Sequence, residues 1–299
     1  MRKSALVLLG LCAVLVLNSS SGGMTQLPKG KGKFYIVGMG TVPDLITVRG
    51  VEVIKGADIV LVGNDEDRKL WSQYIANKEV WYCPNSIRSM YGVAPKEVAD
   101  PQRRAIAERG AEMRGELVSK IKAAVDAGKI VASLQSGDPM MYGLTLLLES
   151  LPKDIPTEIV PGIGAFQAAS AAVQMSPPYG YDTNGVILTA ADWQGRLDEN
   201  EKLMAPGSSM VFYTMQLDYQ KLFAQLQNHY SGKTPVAIVV NAGDRTNQQV
   251  IRSTVAQFLN DVDYKKLPME RSILLVGKFL EVGQARKDFL PQIERGFNK

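Results

Sequence analysis

Three short glycine-containing segments each follow an apolar run, and together they indicate one binding site. They are Gly38-Met39-Gly40, Ser136-Gly137-Asp138-Pro139 and Pro161-Gly162-Ile163-Gly164. Glycine at the end of a strand lets a ligand approach the backbone closely, and exposed N–H groups there bind carboxylate or phosphate groups. Ligands of open α/β sheets bind outside the carboxyl ends of strands. The three segments therefore predict a small-molecule site.

The first segment lacks the patterns of the common nucleotide cofactors. Residues 41–43 are Thr-Val-Pro, where a dinucleotide-binding loop needs glycine. The chain also lacks a complete Gly-x-x-x-x-Gly-Lys-Ser/Thr loop for a triphosphate. Nicotinamide cofactors and ATP are therefore not the expected ligands.

Histidine and cysteine are too scarce for the chemistry that usually depends on them. The chain has one histidine, His229, and two cysteines, Cys12 and Cys83. With one histidine and, once residues 1–23 are removed, one cysteine, neither a His/Cys metal site nor a Cys–His nucleophile pair is expected. We expect His229 to lie at a helix end in a solvated or capping role. The sequence predicts no metal ion, and it identifies no catalytic residue.

The charge balance gives no electrostatic indication of nucleic-acid binding. The net charge is +4, and removing residues 1–23 takes away Arg2 and Lys3 but no acid, which leaves +2. A nucleic-acid-binding domain usually carries a clustered basic surface. We therefore expect a mixed, solvated surface and no nucleic-acid partner.

The N-terminus has the pattern of a secretory signal. Arg2 and Lys3 precede an apolar run, 5–17, which is too short for an ordinary membrane span and is followed by small polar residues. We predict that 1–23 is a signal segment and that the mature chain is exported or periplasmic. Two alternatives stay open. The segment is an uncleaved anchor, the only expected membrane contact, with the protein facing the cytoplasm; or translation starts at Met24 and the protein is cytoplasmic.

Short apolar runs alternate with helical patterns through the first half of the chain. The predicted strands are 34–37, 57–63, 79–82 and 129–134, and the predicted helices are 44–55, 68–76, 102–127 and 141–150. Gly128 follows the long helix as a stop signal. This alternation predicts a mostly parallel sheet with helices on both faces.

The alternation of strand and helix patterns changes near a pair of prolines. Pro152 and Pro156 bracket a predicted linker, so we expect an N-terminal α/β domain over 33–152 and a C-terminal α/β domain over 157–299. Further strands are predicted in the second half at 157–160, 185–190, 209–214, 235–240 and 271–277, and 241–248 has the composition of a hairpin turn. The expected fold class is α/β, with two α/β domains and mostly parallel or mixed sheets.

The order and spacing of the motifs resemble those of the tetrapyrrole methylases, a class of S-adenosylmethionine (SAM) methyltransferases that includes precorrin and uroporphyrinogen methylases. The matching segments are FYIVGMGTVPDLITVRGVEVIKGADIVLVGND, AGKIVASLQSGDPMMYG, TEIVPGIGAFQAASAAV, PVAIVVNAGDRTNQQVIRSTVAQF and RSILLVGK. The resemblance covers roughly residues 33 to 280. It implies two α/β domains with a ligand cleft between them, usually in a homodimer.

The resemblance also implies which residues contact SAM. Carried over position by position, they are Gly38, Gly40, Pro43, Ser136, Gly137, Asp138, Met141, Gly164, Ala165, Thr214, Met215 and Ala242. SAM carries an amino-acid group, a ribose diol and an adenine ring. It therefore needs backbone donors, a carboxylate such as Asp138 and apolar walls such as Met141. The alternative for Asp138 is a turn-forming aspartate before proline.

Three positions differ from the usual sequence of the family. Residues 41–43 replace a Pro-Gly pair, Asn64 stands where tyrosine is usual before Asp65, and Gly164 stands where threonine or serine is usual. Two hypotheses follow from the resemblance and the signal segment. The first is a SAM-dependent methyltransferase acting on a tetrapyrrole-like substrate by in-line displacement, and the second is an exported, non-catalytic binding protein that retains the fold.

Arginines are candidates for pairing with the carboxylates of a tetrapyrrole. The ones considered are Arg88, Arg103, Arg104 and Arg196. Guanidinium groups bind carboxylates in bidentate geometry. A solvated surface position is the preferred interpretation for each of the four.

Overall fold

The first half of the chain builds an entirely parallel five-stranded sheet. The computed structural model describes residues 32–143, 146–178, 185–193 and 196–281, so the predictions for the signal segment and for a start at Met24 lie outside the described residues. The strands of this sheet are β1 (Lys33–Gly38), β2 (Ile59–Val62), β3 (Glu79–Tyr82), β4 (Ile130–Gln135) and β5 (Thr157–Val160), in the order β3-β2-β4-β1-β5. β1 and β2 are almost wholly buried. Their unbroken apolar sequences are typical of strands covered on both faces.

Five helices accompany this sheet in the described residues. They are α1 (Val48–Gly56), α2 (Asp65–Leu70), α3 (Ser72–Ile75), α4 (Pro101–Asp126) and α5 (Leu146–Ser150). Side-chain caps fix three of their starts, because Thr47, Asn64 and Asp100 each accept the amide three residues ahead. Gly128 has a φ of +82° just after α4, which confirms the predicted stop.

Two of the predicted helices are wrong at their starts, and a third is wrong in its continuity. The helix predicted from residue 44 begins at Val48, because Pro43–Leu45 forms a separate 3-10 turn and Thr47 caps α1. The helix predicted from residue 141 is found only as α5, and Met141 lies in a turn. The helix predicted over 68–76 is two short helices, α2 and α3, which meet at Trp71.

The second half builds a mixed sheet in the order β6-β7-β10-β8-β9. Its strands are β6 (Val186–Thr189), β7 (Ser209–Tyr213), β8 (Pro235–Val240), β9 (Gln249–Thr254) and β10 (Ser272–Val276), and its helices are α6 (Ala165–Val173), α7 (Asn200–Met204), α8 (Tyr219–His229) and α9 (Phe258–Asp261). His229 is the last residue of α8, as the sequence predicts. The predicted hairpin turn is confirmed, and it leads into β9, a strand that was not predicted.

The directions of β7 and β8 decide where the second half can contribute to a site. β10 is antiparallel to both strands. β7 and β8 therefore run in the same direction, and their carboxyl ends lie at the same edge of the sheet.

The chain leaves the first sheet later than the sequence indicates. The predicted break at 152–157 comes just before β5, but β5 still belongs to the first sheet, where it pairs in parallel with β1. Each sheet has apolar clusters of buried residues, such as Phe34 and Tyr35 in the first sheet and Phe212 and Val211 in the second. Within the described ranges, no helix has the length and apolar character needed to cross a bilayer. The α/β class with one parallel and one mixed sheet is confirmed.

Candidate cofactor site

The three glycine-containing segments meet at one edge of the first sheet. They follow β4, β1 and β5, which are neighbours in the sheet and run in the same direction. Parallel neighbours end at the same edge, so their loops must lie side by side. Sequence spacing alone does not give this strand order, and the tertiary structure supplies it.

The first and second segments are joined by their backbones. The Gly137 amide donates to the Gly40 carbonyl oxygen at 2.8 Å, and the Gly40 amide donates to the Gly137 carbonyl oxygen at 3.3 Å. Gly40 and Gly137 have φ angles of +75° and +71°, in the left-handed region that favours glycine. This reciprocal pair holds the two loops in one fixed arrangement.

The first and third segments approach too closely for any side chain between them. A Cβ on Gly38 would lie 2.7 Å from the Gly162 Cα and 2.8 Å from Pro139 Cδ, and a Cβ on Gly162 would overlap the Gly137 carbonyl oxygen. Gly38 is therefore required for the packing of one loop on another. A contact between SAM and the backbone of Gly38 or Gly40 stays a prediction.

The second and third segments touch at Gly162 but leave open space between Gly137 and Gly164. Among the described residues, a Cβ on Gly137 would have only the Gly164 Cα within 4 Å, at 3.9 Å. Gly164 is the N-cap of α6 and offers no side-chain cap, while Ala165 opens the helix. The first amides of a helix lack partners within the helix, and they favour an anionic or polar group. Ser136 is exposed on the same loop.

Asp138 takes part in the turn that the alternative interpretation describes. Its Oδ1 accepts the Met140 amide at 2.9 Å, and its carbonyl oxygen accepts the Met141 amide at 3.1 Å. The carboxylate nevertheless stays at the site, because its charge contributes to raising the pKa of Tyr213. Asp138 therefore fixes the turn and supplies negative charge to the site. Met141 is half-buried beside it.

The predicted contacts from the second sheet have different surroundings. Thr214 is 2% exposed, and its hydroxyl is shared between the carbonyl oxygens of Met269 (3.0 Å) and Ser272 (2.9 Å). A ligand contact by the Thr214 hydroxyl therefore has to compete with these bonds. Met215 is exposed, and Ala242 is buried in the second sheet's core at the end of β8.

Tyr213 is a site residue that the sequence analysis missed. Its ring lies edge-on to Tyr142, with centroids 5.0 Å apart, and its hydroxyl is buried without a hydrogen-bond partner among the described residues. Burial raises the pKa of Tyr213 to about 12; the Tyr142 and Asp138 charges add to the rise, and the nearby Phe166 amide opposes it. A buried hydroxyl without a partner costs about 1–3 kcal/mol. The available signal was its position directly before Thr214 at the end of a buried strand.

Thr41 carries the other buried side-chain oxygen without a partner in the described part of the chain. It belongs to the segment that departs from the family sequence, and that segment packs on the turn after β8. A Cβ on Gly243 would lie 2.6 Å from Leu45 Cδ1 and 2.8 Å from Thr41 Oγ1. Pro43 is fixed on the other side, since its carbonyl oxygen accepts the Tyr74 hydroxyl at 2.6 Å. The altered loop is thus ordered, and it connects the two halves.

The four candidate arginines differ in their availability. Arg196 is buried and bound to Asp192 and Asp198, so the surface interpretation is wrong for it and its guanidinium is already neutralised. Arg88 is exposed and donates from Nη2 to the Tyr142 carbonyl oxygen at 3.1 Å.

The remaining two arginines lie on or near α4. Arg104 donates from Nε to the Val98 carbonyl oxygen at 2.9 Å, so part of its guanidinium is already engaged. Arg103 is exposed on α4. Of the four arginines, Arg88 and Arg196 lie next to the site.

Strained backbone is concentrated around the same loops. Among the described non-glycine residues, five have positive φ angles, and three of these follow strands that end at the site: Tyr142 (+62°), Gln216 (+56°) and Asn241 (+51°). Such conformations cost about 1–3 kcal/mol each and persist where the surrounding structure fixes them, often at ligand sites. The strain, the open space at Gly137 and the two unpartnered hydroxyls together mark the carboxyl ends of both sheets as the candidate binding site.

Comparison with known proteins identifies the class to which this α/β protein belongs. Residues 33–259 match the family model described as Tetrapyrrole (Corrin/Porphyrin) Methylases. Since the match covers most of the chain, the protein belongs to this family. It is a methyltransferase, and its cofactor is SAM.

Two relatives are similar over most of their length. The chain is 25% identical to the cobalt-precorrin-4 C(11)-methyltransferase of Methanocaldococcus jannaschii over 256 residues. The aligned region covers 83% of this chain and 88% of that protein. It is 28% identical to the protein of the same name from Priestia megaterium over 264 residues. That alignment covers 86% of this chain and 92% of the relative.

Solved structures share the fold. A cobalt precorrin-4 methyltransferase superimposes with a TM-score of 0.64 at 24% identity, over 83% of this chain and 96% of that chain. The uroporphyrin-III C-methyl transferase of Thermus thermophilus, solved with S-adenosyl homocysteine, superimposes with a TM-score of 0.59 at 17% identity, over 83% and 99%. Both sheets are therefore those of the family fold.

Proposed function

We propose that this protein transfers the methyl group of SAM to a carbon atom of a tetrapyrrole-like substrate, in the cleft where the carboxyl ends of the two sheets meet. The observation that carries this proposal is the contact of the three glycine-containing loops around open space at Gly137. The names of the relatives, which are methyltransferases of cobalt-precorrin-4, support the substrate class.

The residues around this space fit SAM. Gly137 leaves room for a ligand against the backbone, and the start of α6 offers amides to a carboxylate or hydroxyl. The unpartnered hydroxyls of Tyr213, at the end of β7, and of Thr41, in the loop after β1, need polar partners. Asp138 supplies the negative charge that suits an ammonium or sulfonium group. We propose all twelve predicted residues as the cofactor site, with Tyr213 added.

The protein's contribution to the reaction is positional. Bound SAM supplies an activated methyl group that a carbon nucleophile takes by in-line displacement. The loops order the reactants in a cleft, and correct positioning lowers a barrier by several kcal/mol. S-adenosylhomocysteine is the leaving group, and we assign no residue to the removal of a proton from the substrate.

Calorimetric titration of the purified protein with SAM tests the cofactor site. We expect binding, and we expect Asp138→Ala to weaken it at least tenfold because the charge and the turn are both lost. Asp126→Ala is the matched control, since Asp126 ends α4 in an exposed pair with Lys122. No heat at millimolar SAM would refute the proposal, and unchanged affinity in Asp138→Ala would refute the role of this turn.

A second assay separates catalysis from binding. Incubation with methyl-labelled SAM and a mixture of reduced tetrapyrroles should transfer label to the macrocycle. Label transfer supports the methyltransferase proposal. SAM binding without transfer to any tetrapyrrole contradicts the substrate class.

We also propose export of the mature chain and assembly as a homodimer. The signal-like pattern of residues 1–23 supports export, and the family resemblance supports the dimer. Sequencing the N-terminus of the protein recovered from fractionated cells tests the first proposal, and a start at Met1 in a cytoplasmic fraction contradicts it. Sedimentation equilibrium tests the second, and a single monomeric mass contradicts it.

A further inference from the structure

Two large aromatic side chains are exposed beside the loop that carries Asp138. Trp193 is 64% exposed and Tyr142 is 45% exposed. The other two tryptophans differ, since Trp71 is fully buried and Trp81 is half-buried with its indole N–H bonded to Glu79. A largely exposed tryptophan contributes little to a core, so its exposure points to a contact outside the fold.

Tyr142 is held in place from several sides. Its φ angle of +62° is unusual for a large residue, and its ring packs edge-on against Tyr213 at 5.0 Å. Its carbonyl oxygen accepts Arg88 Nη2 at 3.1 Å. A strained residue held this firmly indicates a fixed orientation of the ring.

Trp193 is held by a single buried cation. The Arg196 guanidinium lies 5.1 Å from the centroid of the indole ring, within the range of a cation–π contact. The Arg196 side chain is only 6% exposed, and it donates to Asp198 Oδ1 at 2.7 Å and to Thr189 Oγ1 at 2.9 Å. Its Nη1 lies 3.3 Å from Asp192 Oδ1. The indole is therefore positioned, with much of its surface left open.

Arg196 also connects the two aromatic residues. Burial raises the pKa of Tyr142, and the nearby positive charge of Arg196 opposes this rise. Trp193 follows β6, and Tyr142 packs against the last residue of β7, the parallel neighbour of β6, so the two exposed rings lie on the surface at one edge of the second sheet. Because methyl transfer requires the substrate to lie next to the cofactor, a large substrate extends from the cofactor loop over this surface.

We infer that Trp193 and Tyr142 form an aromatic wall that binds one face of the tetrapyrrole macrocycle, with Arg196 as the positioning residue for Trp193. This inference rests on the proposed function. Conjugated rings stack on exposed aromatic side chains with little sequence or substituent specificity, so such a wall suits a macrocycle of pyrrole-derived rings. The Arg196 donors are occupied by Asp192 and Asp198, so recognition here is by the ring face and not by a substrate carboxylate.

Uroporphyrin III, a stable tetrapyrrole, serves as the probe. Its dissociation constant is measured by fluorescence titration for the wild type, Trp193→Ala and Trp193→Phe. We expect Trp193→Ala to weaken binding at least fivefold and Trp193→Phe to remain within twofold, because an aromatic face is retained. Leu197→Ala is the matched control, since Leu197 lies in the same segment and is 89% exposed without an aromatic ring. It should bind as the wild type does.

The positioning role of Arg196 requires a double-variant test. Arg196→Lys keeps the charge but loses the planar fork that holds two carboxylates. We expect it to weaken uroporphyrin binding at least threefold by itself and to add nothing to Trp193→Ala. Additive losses would overturn the claim that Arg196 acts through Trp193.

SAM titration of the same variants distinguishes this inference from the proposed function. We expect the SAM affinity of Trp193→Ala to match that of the wild type. If the wild type binds both probes and Trp193→Ala binds uroporphyrin equally well, the aromatic wall is refuted and the methyltransferase proposal stands. If the wild type binds SAM but not uroporphyrin, both the wall and the proposed substrate class are contradicted.

Discussion

The two sheets contribute to the cleft in different ways. The loops after β4, β1 and β5 contribute backbone, because their glycines lie against each other's main chains. The loop after β6 and the end of β7 contribute side chains, namely the Arg196 ion pairs and the Tyr213 hydroxyl. The first region is fixed by sterics, and the second by charge and hydrogen bonding.

This difference predicts how each region responds to substitution. Sterically packed backbone does not tolerate even one added methyl group, because close-packed interiors have no room to adjust. A region held by side chains loses only the interaction that is removed. The following predictions test this contrast, beginning with the largest expected effect.

Gly162→Ala should destabilise the protein by about 3 kcal/mol, since its Cβ would overlap the Gly137 carbonyl oxygen and lie 2.7 Å from the Gly38 carbonyl carbon. Urea unfolding monitored by circular dichroism measures the change. Gly115→Ala is the control, because no other described residue comes within 4 Å of its Cβ apart from the chain neighbours and backbone of its own helix, and alanine favours a helix by about 1 kcal/mol. Equal stability of the two variants would contradict the claim that steric packing fixes the loops of the first sheet.

Arg196→Met should cost about 2 kcal/mol, because it leaves Asp192, whose side chain is 15% exposed, without its cation. The same unfolding assay measures this loss. Arg103→Met on the exposed face of α4 is the control and should stay within about 0.5 kcal/mol of the wild type. If Arg196→Met lowered the free energy of unfolding more than Gly162→Ala does, the region held by side chains would be the more sensitive of the two, contrary to this prediction.

Alkaline pH should destabilise the wild type more steeply than Tyr213→Phe. The pKa of Tyr213 is raised to about 12 in the folded state, against about 10 in an unfolded chain. The unfolded state therefore loses this proton first as the pH rises. The stabilisation is complete below about pH 10 and falls by about 1.4 kcal/mol per pH unit between 10 and 12. Unfolding free energies at several pH values give the two slopes, and identical slopes would contradict the burial of Tyr213.

Removing either unpartnered hydroxyl should increase stability and reduce SAM affinity. Tyr213→Phe and Thr41→Val each delete a buried polar atom without a partner, so we expect about 1 kcal/mol of added stability below pH 9. Calorimetry should show weaker SAM binding in both. Tyr230→Phe is the control with the opposite sign, because its hydroxyl donates to the Ser208 carbonyl oxygen at 2.6 Å and its loss should destabilise. Unchanged SAM affinity would make the unpartnered hydroxyls features of the fold alone.

The smallest effect concerns an ion pair between the halves. Arg245 Nε lies 2.7 Å from Asp44 Oδ2, but the two side chains are 86% and 46% exposed. Solvent and salt screen such pairs, so Arg245→Ala should change stability by less than about 0.5 kcal/mol. Unfolding at low and at high salt checks this, and a large salt-dependent loss would show that electrostatics holds the two halves together.

The sequence by itself determined the elements and the family of this protein. Apolar runs such as 34–37 and 59–62 specified strands, and Gly128 specified the end of α4, because local burial and backbone preference are sufficient there. The same local signals failed at residues 44–47, where proline and a threonine cap compete with the helical pattern.

Only the tertiary structure decided how the cleft is built. Parallel pairing of β1 with β4 brings Gly40 to Gly137, which is far from it in the sequence. Because β10 pairs antiparallel with both β7 and β8, those two strands run in the same direction, and Tyr213 and Ala242 lie at the same edge of the second sheet. The burial of Arg196 and the missing partners of Thr41 and Tyr213 likewise depend on what other segments place beside them. Local sequence encodes turns and strands, whereas burial and pairing are set by residues distant in the chain, so the site emerges only when the chain is folded.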